Sequence, residues 1–438
     1  MTEPAATPSR TGMGGTGRPA GTPRCSGPVR PGTVRVVSPF DDPATLERFA
    51  DLVVAFAVNL QRDQVLAIGS EIGKEDFTRA LAASGYRHGA RFVDVAYFDL
   101  HVKRARIEHA REETLSFVPS WYGERVLELG RQRCARIGLT GPAHPGLMEG
   151  LDQKRLSRDQ LPALKEGGQV VNDRTTNWTA VPCPTRAWAQ LVHPDLDPDA
   201  AWRKLGEQIL HIIRLDEADP IAAWKERQAT LIGAAARLTE RRFDALHFRG
   251  EGTNLRIGLL PSSHWMAATF ETAEGIVHMP NLPSEEVFTA PDPERVEGVV
   301  RSTKPLVVGG SIVRGLEVEF RGGRAVRIDA DENADVVRGY AERDSGSARL
   351  GEVALVDSDG RIGALDTVFF DTLLDENAAS HVALGEAYSF TAGDEDQGRL
   401  NRSIIHVDFM IGGPGVDVDG VTTGGETVPV LHDGAWHV

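Results

Sequence analysis

At 438 residues, with 41% hydrophobic and 25% charged residues, the chain has an ordinary globular composition and is long enough for two domains. A net charge of −15 argues against a nucleic-acid backbone or an anionic membrane surface as the main partner. Cys25, Cys134 and Cys183 are far apart, odd in number and outside any CxxC pair, so neither a disulfide framework nor a thiolate zinc site is indicated. No apolar run reaches the roughly 18 residues of a membrane span, and the N-terminus lacks a secretory h-region, so a cytoplasmic location is expected.

Residues 1–32 are rich in Gly, Pro, Ser and Thr and hold no Leu, Ile or Phe, which predicts a disordered leader. Its MGGTG stretch has no preceding strand and is followed by Pro19, which argues against a phosphate loop. From Pro43, with Asp42 as N-cap, Leu46, Phe49, Val53, Phe56 and Leu60 recur at helical spacing. QVLAIGS then reads as a buried strand, EDFTRALAASGY as a helix and RFVDVAYFD as a strand, the βαβ order of a parallel sheet. The stretch from Asp197 to Thr239 is helical by pattern, with Trp202 and Trp224 as packing anchors. After about Asp244 the runs are short and alternating, with hairpin or turn signals at Gly322-Gly323 and Asp359-Gly360. The expected class is α/β, with an N-terminal βαβ-type domain (33–245) followed by a mainly antiparallel α+β catalytic domain (246–438).

Four motifs in the second half carry chemistry-bearing residues. NRSIIHVDFM alternates as a strand, so His406 and Asp408 share the face opposite Ile405, Val407 and Phe409. DTLLDENAASHVALGEAYSF predicts a helix to about Tyr388, capped by Thr372 and Asp375 in capping-box spacing or by Asp375 alone. Asn377, His381, Gly385 and Tyr388 would then fall on nearly one face. Gly385 would leave room for a pocket or for close helix packing. RLGEVALVDSDG places Glu352 among apolar neighbours, a costly position unless a cation pairs with it; Arg349 and Arg361 are the nearby choices. NLPSEEVFTAPDP sets Glu285 beside Glu286, and in an extended chain the two point to opposite sides. Each motif alone also suits a solvated strand face, a core histidine, a simple ion pair or a charged loop.

Together they suit a metal centre. Glu286, Glu352 and Asp408 supply three negative charges and His381 and His406 two neutral nitrogens, so two divalent ions leave one positive charge for a bridging hydroxide to cancel. Coordination lowers the pKa of water to about 7 and makes that hydroxide a nucleophile. Glu285 would serve as general base and acid, and Tyr388 would donate a hydrogen bond to the oxyanion of a tetrahedral intermediate.

NLPSEEVFTAP, LGEVALV, DENAASHVALGEAY and NxSxxHxDFMxG resemble the thermophilic-type metalloaminopeptidases, metallopeptidase family 29, which groups aminopeptidase T, aminopeptidase S and PepS. GTNLRIGL, the PL…GG…I segment and the terminal DGAW extend the likeness over nearly everything after the leader. The resemblance implies a two-domain exopeptidase that acts on peptides with a free N-terminus, using two divalent ions (zinc, cobalt or manganese), as a homodimer. It also implies Glu286, Glu352, His381, His406 and Asp408 as metal ligands and Tyr388 as a catalytic neighbour. Glu286 is preferred over Glu285 as ligand because its spacings match the family without a gap. The long leader and a shorter connection from His381 to His406 depart from the pattern. Two other classes stay open: a mononuclear non-haem iron dioxygenase on a related fold, and a non-catalytic ligand-binding homologue.

Overall fold

The computed structural model describes residues 38–162 and 164–438; the readings of the leader, MGGTG and Cys25 lie outside them. Residues 38–438 pack as one unit. The Asp42 cap forms as expected: its Oδ1 accepts the Ala44 N–H at 3.1 Å and starts the helix Pro43–Leu52. Four strands follow, β1 (Val65–Glu71), β2 (Phe92–Phe98), β3 (Ala135–Thr140) and β4 (Trp178–Pro182). They pair in parallel in the order β2-β1-β3-β4, so the βαβ texture builds the expected sheet. Helices Pro198–Ile212 and Pro220–Arg241 start at Asp197 and Asp219, each accepting a backbone N–H. Trp202 and Trp224 are both buried, and Trp224 Nε1 donates to the Ile213 carbonyl at 2.9 Å.

Beyond Asp244 the pairing is antiparallel. In chain order come β5 (Ala245–Gly250), β6 (Thr253–Leu259), β7 (Met266–Ala267), β8 (Phe270–Glu271), β9 (Val277–His278), β10 (Glu286–Thr289) and β11 (Pro291–Arg301). Next are β12 (Leu306–Val308), β13 (Ser311–Val313), β14 (Glu317–Arg321), β15 (Arg324–Asp329) and β16 (Leu350–Val356). The last five are β17 (His381–Gly385), β18 (His406–Met410), β19 (Asp417–Val421), β20 (Thr427–His432) and β21 (Ala435–Trp436). Eight of these form a sheet ordered β15-β14-β11-β6-β5-β19-β20-β21, five form β18-β17-β16-β10-β7, and β12-β13 and β8-β9 are separate hairpins. Gly322 and Gly323, both at positive φ, turn β14 into β15 as their sequence signals.

The five-stranded sheet has two unlike faces. Val287, Val353, Leu355, Val382, Leu384, Val407 and Phe409 join Leu231, Ala234 and Leu238 of the helix Pro220–Arg241 in one apolar core. The other face carries Glu286, Glu352, His381, His406 and Asp408. Alternation along each strand therefore sorts core from chemistry.

The helix expected through Tyr388 is corrected. Helical structure stops at Glu376, with Asp371 as N-cap, and His381–Gly385 is strand β17 between β16 and β18. The His-Val-Ala-Leu-Gly segment is buried throughout, and in the middle of a sheet its ladder hydrogen bonds and packing outweigh helix propensity. Among the described residues no helix is long and apolar enough to cross a membrane. Cys134 and Cys183 are buried free thiols.

Candidate metal centre

Register brings the distant motifs together. Across the sheet Phe288 faces Ala354, Ala354 faces His381, Glu352 faces Ala383, and Ala383 faces Asp408. A bulge between Leu350 and Glu352 sets which face Glu352 takes. Glu286, Glu352, His381, His406 and Asp408 thus converge on one face of β10, β16, β17 and β18. His381 Nε2 lies 3.1 Å from Glu286 Oε2 and 3.7 Å from Glu352 Oε1. His406 Nε2 lies 3.5 Å from Glu352 Oε2 and 3.3 Å from Asp408 Oδ1. Two triads result, Glu286–Glu352–His381 and Glu352–His406–Asp408, each offering ligand atoms within 4.8 Å of one another. Glu352 belongs to both.

The donor set fits divalent ions. Glu286 Oε2 and Glu352 Oε2 are buried and have no hydrogen-bond partner, an arrangement that is costly without a cation. His381 Nδ1 lies 3.0 Å from the Glu376 carbonyl and His406 Nδ1 lies 2.9 Å from the Glu386 carbonyl. A carbonyl only accepts, so each Nδ1 carries a hydrogen and each Nε2 faces the carboxylates, free to serve as a metal ligand once its own proton leaves.

Electrostatics say the same. Burial pushes the His381 and His406 imidazoles down, but the carboxylates win: Glu286 and Glu352 hold His381 well above its usual value, and Asp408 and Glu352 raise His406 to about 10. Burial and neighbouring negative charge raise Glu352. Asp408 is lowered despite burial because His406 faces it. The metal-free cluster therefore holds protons where cations would sit.

Four residues stand differently from their sequence readings. Glu285 is not brought to the cluster: it is fully buried on the helix side, where Oε1 accepts from Arg214 Nη2 at 2.9 Å and Oε2 accepts from Arg227 Nε. Neither Arg349 nor Arg361 neutralises Glu352. Arg349 bonds the Pro293 carbonyl and Arg361 bonds Asp216 and Glu217, while the two histidines take the cationic role. Gly385 does not open a pocket; it sits at φ +112° with an added Cβ only 2.1 Å from the Ile405 carbonyl oxygen.

Sequence reasoning missed Glu376. It ends the short helix Thr372–Glu376, and burial together with the negative charge of Asp408 and Glu286 pushes its carboxyl well above the usual range. The signal available was a Glu five residues before His381, obscured by the helix reading. Tyr388 does reach the site: its ring centroid is 5.5 Å from that of His406, and Phe270, Phe288 and Phe390 pack around it. A cleft of about 840 Å³, lined by Asn172, Trp178, Glu386, Tyr388, Arg402 and His406 among others, leads to it.

This fold and cluster define a metallopeptidase. The family model for thermophilic metalloprotease (M29) matches residues 42–436, and the chain belongs to that family. It is 40% identical to aminopeptidase T of Thermus thermophilus over 402 residues, 90% of this chain and 98% of the relative. Aminopeptidase AmpS of Bacillus subtilis is 36% identical over 89% of this chain and 98% of its own. The structure of wild-type AmpT from Thermus thermophilus superposes with a TM-score of 0.80, covering 90% of this chain and 99% of that one at 40% identity.

Proposed function

We infer that the chain, a metal-dependent aminopeptidase by family and relatives, hydrolyses the N-terminal peptide bond with two divalent ions. Glu286, Glu352 and His381 would hold one and Glu352, His406 and Asp408 the other. The observation that carries this reading is Glu352, whose two oxygens face two different histidines. When bound, the ions would polarise the scissile carbonyl and lower the pKa of water to about 7, supplying a nucleophile at neutral pH.

The chain's own groups do the rest. The two backbone carbonyls fix both imidazole tautomers, so the ligand nitrogens need no reorganisation. Tyr388 stands beside His406, where its hydroxyl donates to the oxyanion of the tetrahedral intermediate. Glu285 does not carry the proton to the leaving amine, because it is occupied by two guanidiniums on the far side of the strand. The homodimer, the cytoplasmic location and the choice among zinc, cobalt and manganese belong to the same proposal.

Stripping the protein and reloading it with each of the three metals or with iron, then measuring bound metal, oxygen uptake and amino acid released from short peptides, tests it. Two ions per chain with peptide turnover supports the proposal. One iron with oxygen consumption would support the dioxygenase reading, and metal without either activity would leave a binding protein.

A further inference from the structure

The candidate ligands all lie beyond residue 285, yet the first half of the chain also reaches the site. The helix Lys165–Asn172 forms one wall of the cleft of about 840 Å³ that Tyr388 and His406 also line. Its last residue, Asn172, makes contacts that the metal centre itself does not use. Asn172 Oδ1 accepts from the Ser389 N–H at 2.8 Å, and Nδ2 donates to Glu386 Oε1 at 3.3 Å. Ser389 Oγ also approaches the Asn172 carbonyl at 3.5 Å, one of the carbonyls that a helix end leaves without an internal partner. One side chain therefore grips the backbone segment on both sides of Tyr388.

The two grips are unequal. Glu386 has other anchors: Oε1 accepts from Arg402 Nη1 at 3.1 Å and Oε2 from the Ser403 N–H at 2.6 Å, so without Asn172 its carbonyl would stay on His406. Among the described residues the Ser389 N–H donates to Asn172 alone. The Tyr388 ring packs against Phe270, Phe288 and Phe390 at centroid distances of 6.0, 5.9 and 5.3 Å. Apolar packing has little direction, so it does not fix how far the hydroxyl reaches; a hydrogen bond to the adjoining backbone does. That matters because a catalytic group works only when held within about 0.5 Å of its productive position.

We propose that Asn172 is a positioning residue for Tyr388: by holding the Ser389 N–H, with Glu386 as a second point, it sets the backbone from which the tyrosine projects toward the metal face. The helix Lys165–Asn172 thereby becomes part of the catalytic apparatus. This rests on the aminopeptidase reading above and on the role given there to Tyr388.

The test compares wild type, Asn172→Ala, Tyr388→Phe and the double variant for kcat, KM and bound metal, with Leu-Gly-Gly as substrate of the metal-loaded enzyme. Hydrogen–deuterium exchange of metal-free wild type and Asn172→Ala is read alongside. Asn172→Ala is expected to lower kcat by about 10- to 100-fold, the cost of a slightly misplaced group, with KM and metal content unchanged. Exchange is expected to speed up within 386–391. In the Tyr388→Phe background the same substitution is expected to change kcat by less than about twofold, because the hydroxyl it positions is gone. Losses that multiply in the double variant, or wild-type kcat with wild-type exchange, overturn the proposal. A lowered melting temperature with unchanged kcat makes Asn172 a helix anchor only and overturns it as well. Faster exchange within 386–391 in a chain that cleaves no peptide once metal-loaded supports the grip on this segment and instead overturns the aminopeptidase reading.

Discussion

Glu285 and Glu286 are joined by one peptide bond and lie on opposite sides of the catalytic sheet. Glu286 Oε2 faces His381 Nε2 at 3.1 Å, while Glu285 Oε1 accepts from Arg214 at 2.9 Å beneath the helices. The period of two in an extended chain makes this separation unavoidable, and it divides the pair into a proposed ligand and a structural ion.

The two glutamates should therefore respond differently to mutation. Glu286→Gln is expected to lower bound metal and turnover together while leaving the thermal midpoint of the metal-free protein nearly unchanged. Glu285→Gln leaves Arg214 and Arg227 short of a buried partner and is expected to destabilise the fold by about 3–5 kcal/mol. Denaturant melts and metal content per folded chain separate the outcomes; loss of metal from a fully stable Glu285→Gln protein would contradict the assignment.

Because Glu352 belongs to both triads, its loss should differ from that of a terminal ligand. His381→Ala and Asp408→Asn are each expected to lower metal content and activity together, with one ion retained more tightly than the other. Glu352→Ala is expected to lose both ions. Elemental analysis after dialysis reads the stoichiometry, and full metal content in any of the three would contradict the site.

Metal uptake should release protons. In the metal-free chain Asp408 and Glu352 push His406 up to about 10 and His381 is also raised, so ions entering at neutral pH must displace those protons. Affinity is expected to fall as pH falls, and calorimetry in buffers of different ionisation enthalpy should show net proton release. The same shift has a stability consequence. The folded pKa of His406 exceeds its unfolded value near 6.5, so its contribution to metal-free stability is complete below about 6.5 and is lost as pH rises through about 10. Thermal melts of stripped protein across that window check the sign.

Tyr388→Phe keeps the ring that stacks on Phe390 at 5.3 Å and removes only the hydroxyl. Metal content and folding are expected to stay normal while kcat falls on the order of 100- to 1000-fold, the usual cost of one oxyanion donor. Unchanged kcat would remove Tyr388 from the chemistry.

Much of this architecture was legible in the sequence where one physical signal dominated. The Asp42 cap, the βαβ order and the Gly322-Gly323 turn depend on local backbone chemistry and appear as read. The alternation of His406 and Asp408 with Val407 and Phe409 likewise survives, because those apolar residues are buried in one core. His381–Gly385 was misread because DENAAS favours a helix locally, whereas the strand is imposed by partners 21 to 34 residues away in the chain. Gly385 marks the same limit: its positive φ and its contact with Ile405 exist only once β17 and β18 are paired.

The site residues were legible as donors, but their division into two triads was not. That division depends on the bulge before Glu352 and on which carbonyls hold His381 and His406, which are matters of tertiary register. Glu376 went unnoticed because a helix through Tyr388 placed it off the His381 face. With the helix ending at Glu376, the carboxyl of the same residue is pushed up by burial and by the charges of Asp408 and Glu286.

The most direct test of the metal centre is anomalous diffraction from crystals of zinc-loaded protein. Two peaks are expected, one among Glu286, Glu352 and His381 and the other among Glu352, His406 and Asp408, with the Glu352 carboxylate between them. A single peak, or zinc bound away from Glu352, would contradict the two-ion centre.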